Sequence, residues 1–175
     1  MTLHLVNRQR RDPVPLTTLT RLARCAVHRL GIQLNRGPVV ITFLDRTTMR
    51  QVNRRFTRRN HLTDVLSFRY AHEPIAGEIL IAPAAARLYA KQHRVSYRRE
   101  LARYVIHGLL HWLGHEDQTP RPFDSGPGLG RGAPQQRRIR ALENRLLDTC
   151  GHSQSNRGRG QETRGRGLKR TRAPR

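Results

Sequence analysis

Cysteine is nearly absent from this 175-residue chain, which has only Cys25 and Cys150. Two thiols so few and so far apart in sequence do not make a disulfide framework or a cysteine zinc site. Acidic residues are scarce: 12 Asp and Glu stand against 34 Lys and Arg, a formal net charge of +22 at pH 7. Lysine is nearly missing as well, with Lys91 and Lys169 the only two. No apolar run approaches the roughly 20 residues that span a bilayer, and the first residues lack a signal-peptide pattern. Aromatic residues make up 5% of the chain, and no basic amphipathic helix with an aromatic face is evident, which disfavours a membrane surface. The expectation is a soluble, cytoplasmic protein in a reducing compartment, with no membrane contact.

The chain does have arginine in quantity. Residues 151–175 contain eight Arg or Lys and one Glu, a net of +7, which leaves +15 of the +22 on the first 150 residues. The charge therefore belongs to the folded part as well as to the tail. Such a field attracts and steers polyanions, and RNA or DNA is the partner it favours. The Arg-Gly tail has almost no large hydrophobes and is expected to be disordered. The division expected is one folded domain over 1–150 and a basic tail over 151–175.

Periodicity gives the elements. Residues 3–6 alternate weakly as a first strand. Leu16, Leu19, Leu22, Ala23, Ala26, Val27 and Leu30 recur at helical spacing, and Gly31 closes that helix. Residues 39–44 form a short β-branched strand, and Asp45 or Thr47 caps a helix through Met49, Val52 and Phe56. Residues 64–70 and 77–82 read as strands, 84–92 as a helix. Ser96 caps a helix carrying Leu101, Val105, Leu109, Leu110 and Leu113 that ends at Gly114. Residues 118–134 form an exposed loop, and Ile139, Leu142, Leu146 and Leu147 mark a last helix. The order β-α-β-α-β-β-α-α-α predicts an α+β fold, a small mostly buried sheet packed with helices, one of them a zincin-like metal-binding helix.

That helix carries His107 and His111. Four residues apart on a helix they return to nearly the same face, one turn along, and two imidazoles so placed can grip one cation. Gly114 permits a left-handed turn three residues on. Asp117 follows three residues later and can fold back as a third ligand. This is the spacing of the extended zincin pattern with Gly108 in place of the Glu and Asp117 in place of the last His. His115 and Glu116 compete for the third place. Three protein ligands leave the metal an open position, as in catalytic rather than structural zinc sites, and the carboxylate also admits Mn²⁺ or Fe²⁺.

Gly108 shifts the expected chemistry. In zincin proteases the residue beside the first His is the glutamate base. Phosphodiester cleavage needs less of such a base when a metal and arginines stabilise the charge on phosphoryl oxygens. The expected substrate is therefore RNA rather than peptide, and nothing marks a small-molecule cofactor site. A non-catalytic RNA-binding assembly factor with a structural metal stays open, as do a metalloprotease and a two-His, one-carboxylate iron oxygenase.

Three motifs in order carry a family resemblance. They are Thr63-Asp64-Val65-Leu66-Ser67-Phe68, Gly77-Glu78-Ile79-Leu80-Ile81, and His107 through Asp117, with weaker likeness in the helix carrying Glu143. Together they resemble the YbeY-type rRNA maturation factors, whose pattern is H-G-x-L-H-x-x-G-x-D-H preceded by a T-D-V-L-S-F strand. The resemblance implies a single-domain α+β fold and one zinc per chain at the positions of His107, His111 and Asp117. It also implies single-strand-specific endoribonuclease activity on ribosomal RNA precursors of the small subunit, 16S 3′-end processing included, and a role in ribosome quality control. Two departures stand out. The family's third ligand is usually His, and its arginine before T-D-V-L-S-F falls on Thr57. The adjacent Arg58 and Arg59 are the candidates to supply that catalytic guanidinium.

Arg54, Arg55, Arg58 and Arg59 together read as a phosphate-contacting surface. Glu78 reads either as an acid near the metal or as a strand-end surface residue. Phe56, Phe68 and Tyr70 are candidates for the core, Trp112 has a packing role, and His61 reads as an ordinary rather than a catalytic residue.

Overall fold

The computed structural model describes residues 2–31, 37–71, 74–114 and 133–151. Nine elements follow in the expected order: β1 (Leu3–Asn7), α1 (Leu16–Arg29), β2 (Val39–Phe43), α2 (Arg46–Thr57), β3 (Val65–Arg69), β4 (Gly77–Ile81), α3 (Pro83–His93), α4 (Tyr97–Trp112) and α5 (Ala133–Gly151). The loop expected at 118–134 and the tail after 151 lie outside the described residues, apart from the start of α5.

The strands form one mixed sheet in the order β1-β2-β4-β3. β1 with β2 and β2 with β4 run parallel, while β3 turns back antiparallel on β4. Because side chains alternate across a strand, the register separates two faces. Leu5, Ile41, Ile79 and Ser67 share one face with Val39, Phe43, Ile81 and Val65. Helices α1 and α4 cover it. Thr42, Leu80, Leu66, Glu78 and Phe68 share the other.

Helix α4 is placed by its apolar stripe. Leu101, Val105 and Leu109 are buried at successive four-residue steps. Each full burial of a large aliphatic side chain contributes roughly 1.5–3 kcal/mol. An exposed ion pair such as Arg99–Asp148 contributes only about 0–1 kcal/mol. Packing therefore sets the rotation of α4. At its N-terminus Ser96 accepts from the Arg99 amide, as the sequence predicts. Asp45 caps α2 in the same way, accepting from the amides of Thr47 and Thr48.

The cysteine expectation is overturned. Cys25 on α1 and Cys150 on α5 are joined by a disulfide, with Cα atoms 5.8 Å apart. The two cysteines, distant in sequence, meet because α1 and α5 pack side by side. The bond fastens the last helix to the first. No helix among the described residues is long and apolar enough to cross a membrane.

Candidate metal centre and cleft

His107 and His111 lie on the last two turns of α4, their ring centroids 4.3 Å apart in an edge-to-face arrangement. The side chain of His107 is 13% exposed. Its Nδ1 lies 2.5 Å from Oε1 of Glu143 on α5. A neutral imidazole that donates from Nδ1 to a carboxylate keeps its Nε2 lone pair for a cation. Carboxylate-backed histidine is the usual outer arrangement of zinc sites, so the donor chemistry fits such an ion.

Glu143 is itself held in place. It is buried, and the Arg103 guanidinium lies 3.9 Å from its second oxygen. Arg103 also pairs with buried Glu100 one turn back on α4 and lies over the rings of Tyr89 and Tyr104. Burial opposes the charge on Arg103. The Glu100 hydrogen bond and the charges of Glu100 and Glu143 outweigh it and raise the arginine's pKa. Burial, then the negative charges of Asp64 and Glu100, pushes the Tyr104 phenol well above its ordinary value. Tyr104 is therefore neutral near pH 7 and is not an acid–base group there.

The sequence contains a sign of this arrangement. Ile139, Glu143, Leu146 and Cys150 recur at helical spacing and are all buried. A carboxylate within an apolar stripe requires a partner, and that partner is His107.

Gly108 is a packing requirement. A Cβ placed on it would lie 2.5 Å from Cγ2 of Ile79 and 3.1 Å from Cγ1 of Val65. The position faces the sheet, and Ser67 Oγ donates to its carbonyl. The place occupied by a glutamate base in zincin proteases has no room for a side chain here.

The end of α4 is fixed by β3. Arg69 donates to the carbonyls of Trp112 and His111, which complements the negative end of the helix. Gly114 follows with φ +92°, and a Cβ there would meet the Arg69 guanidinium at 2.6 Å. The left-handed turn expected at Gly114 is thus present, directing the chain toward His115, Glu116 and Asp117. Those three residues lie outside the described ones. Among the described residues no three His, Cys, Asp or Glu side chains form a group that could hold a metal ion.

A cleft of about 680 Å³ opens beside this helix, lined by His107, Glu143, Asp64, Arg46, Arg140 and Arg59, among others. Of the two expected arginines, Arg59 lines it and Arg58 does not. Arg58 ends α2 in the left-handed conformation, φ 59°, and is exposed. Thr57 lines the cleft with its hydroxyl turned back onto the Asn53 carbonyl, 2.8 Å away. No guanidinium comes from position 57. His61 also lines the cleft, and its carbonyl accepts from Asn53.

Two other expectations change. Glu78 accepts from Thr42 Oγ1 on the sheet face opposite α4, so it is not an acid beside His107. Phe56 is 60% exposed rather than in the core, whereas Phe68 is partly buried and packs against the core. Trp112 packs over Gly77, with Nε1 donating to the Ala76 carbonyl.

Fold and site together define an α+β protein with a histidine-bearing helix, backed by a buried carboxylate, beside an arginine-lined cleft. Among known families, the profile described as Endoribonuclease YbeY matches residues 4–124. The chain belongs to that family.

Relatives named Endoribonuclease YbeY include one from Rhodopirellula baltica, 37% identical over 111 residues, covering 61% of this chain and 57% of that protein. Another, from Bdellovibrio bacteriovorus, is 33% identical over 101 residues, covering 58% and 66%. A third, from Myxococcus xanthus, is 30% identical over 159 residues, covering 86% and 48%. The chain thus spans between about half and two thirds of the length of these relatives. The solution structure of TM1509 from Thermotoga maritima superposes with a TM-score of 0.54 at 18% identity, covering 91% of this chain and all of that one. That likeness concerns the fold alone.

Proposed function

We propose that this chain is a metal-dependent endoribonuclease that cleaves single-stranded RNA in ribosomal RNA maturation. The observation that carries the proposal is the His107–His111 pair on α4, with Glu143 on His107 Nδ1, beside a cleft lined by arginines. The names of the relatives support RNA as substrate. Small-subunit rRNA precursors, the 16S 3′ end and ribosome quality control are the finer reading drawn from the family resemblance.

In this reading His107, His111 and Asp117 hold one Zn²⁺. When bound, the ion supplies Lewis-acid polarisation of a phosphoryl oxygen and activation of water. The protein's own groups do the rest. Glu143 keeps the Nδ1 proton of His107 in place and fixes the ring's orientation. Arg59, which lines the cleft, contacts the phosphate and stabilises charge that develops on it, with the adjacent exposed Arg58 as the second candidate. The close packing at Gly108 leaves no side-chain base at that position, which separates the site from a peptidase. Arg69 holds the end of α4, from which the chain leaves toward Asp117.

A second reading is favoured by Thr57, which stands where the family resemblance places an arginine. It is a non-catalytic RNA-binding assembly factor whose metal is structural. One experiment separates the two. Zinc-loaded protein and His111→Ala are incubated with single-stranded RNA and, in parallel, with casein. The nuclease reading expects RNA cleavage by the parent, none by His111→Ala, and no casein digestion. RNA bound but uncut, with unfolding on chelation, would establish the structural-metal reading instead.

A further inference from the structure

Phe56 is the most exposed Phe, Tyr or Trp ring among the described residues, at 60% of its surface. It stands on the last turn of α2 and is buttressed by Phe68 on the edge strand β3, with ring centroids 4.8 Å apart and planes tilted by 57°. Its sequence setting is strongly cationic. Between Arg46 and Thr63 there are six arginines and no acidic residue. Arg46, Arg50 and Arg54 repeat every four residues along α2, about 6 Å apart in rise, and all three are exposed.

We propose that Phe56 is a stacking platform for an unpaired base of the RNA strand whose phosphates are held by the arginines of α2. The inference rests on RNA being the substrate proposed above, and it extends the binding surface beyond the metal helix. Charge chooses the partner, because a segment with six arginines and no acidic residue fits a polyanion. The ring supplies what charge alone does not, a face on which any base can stack.

The neighbours of the ring leave it available. The Arg55 guanidinium sits 5.9 Å from the Phe56 centroid. At an exposed site such an interaction is worth roughly a two- to fivefold preference. Base stacking on an aromatic side chain is worth about 5- to 150-fold in affinity. The base therefore displaces Arg55, freeing that side chain for a phosphate. Thr57 and Arg59 follow Phe56 in the chain and line the cleft that holds His107, so a strand anchored on the ring is led into the cleft. Bases within a duplex are already stacked on one another and offer no free face. The platform thus selects single strands by a route independent of the metal.

The test uses the full chain and a fluorescently labelled 2′-O-methyl oligoadenylate, which resists cleavage, with an RNA duplex alongside. Anisotropy titrations at several KCl concentrations give affinity and salt slope. Phe56→Ala is expected to weaken single-strand binding by about 5- to 150-fold while leaving salt slope and duplex binding unchanged. Phe56→Trp restores affinity, and its added indole emission is quenched by the oligonucleotide. Arg54→Ala with Arg55→Ala weakens binding and lowers the salt slope by about 0.7 for each phosphate that is no longer neutralised. Equal affinity of Phe56→Ala and parent overturns the platform and leaves the ring to an acidic protein partner. An equal loss for single strand and duplex overturns it too. A parent that binds the oligonucleotide but leaves unmodified single-stranded RNA uncut in the cleavage assay above refutes the nuclease reading alone, and a parent that binds no RNA refutes both.

Discussion

Replacing Glu143 by Gln should weaken zinc binding without unfolding the protein. The side chain keeps its shape, so the substitution removes charge rather than volume. In the parent the carboxylate lies 2.5 Å from His107 Nδ1 and 3.9 Å from Arg103, at 3% side-chain exposure. Removing the carboxylate partner of a ligating histidine typically costs about 10- to 100-fold in metal affinity, or roughly 1.4–2.7 kcal/mol. The fold should lose less, because Arg103 keeps Glu100 as its closer partner and the amide oxygen can still accept from Nδ1. Competition with a zinc chelator gives the affinity, and thermal unfolding of the metal-free protein gives the fold. A zinc Kd within twofold of the parent's would refute the assignment of Glu143 to orienting His107. Arg103→Met adds a check on coupling. If Arg103 acts through Glu143, it should weaken zinc binding in the parent and have little further effect in Glu143→Gln.

Gly108→Ala should destabilise the fold by about 1–3 kcal/mol, because the new methyl overlaps Ile79 in a packed core; denaturant titration measures it, and an unchanged midpoint would contradict the packing described. Reduction of the Cys25–Cys150 bond, which closes a separation of 125 residues, should lower stability by up to roughly 5 kcal/mol on the loop-entropy account, read as a shift in midpoint with and without reductant and absent in the Cys25→Ser, Cys150→Ser double variant. Asp45→Ala should cost about 1 kcal/mol at pH 7 through loss of the α2 cap. Hydrogen bonds from Thr48 lower the Asp45 pKa below its ordinary 3.8, so the cap's contribution is present above that value and is lost as pH falls through the folded pKa. The parent–variant difference should therefore shrink in acid.

The elements were legible because each is locally consistent. The 3.6-residue stripes of α1 and α4, the β-branched run of β2 and the caps Asp45 and Ser96 point to the observed structure without reference to the rest of the chain. The histidine pair was legible for the same reason, since i and i+4 share a helix face wherever the helix sits. Interactions that depend on how elements pack were not. Glu143 meets His107 across α4 and α5, Arg69 reaches α4 from β3, and Cys25 meets Cys150 only because α1 and α5 are neighbours. Strand direction explains the Glu78 outcome. Alternation fixes that Glu78 and Ile79 face opposite ways, but only the placement of α4 decides which face bears the site. Hydrophobicity places Phe56 in the core, yet at the end of α2 its ring packs on Phe68 of the edge strand and stays 60% exposed.

The proposed activity turns on one ion held at the end of α4. Crystals grown with Zn²⁺, and an anomalous difference map collected at the zinc edge, test it most directly. The expected result is a single strong peak per chain, bonded to His107 and His111 and completed by Asp117 rather than His115 or Glu116. A map with no peak at these histidines, or a peak held by other side chains, would contradict it.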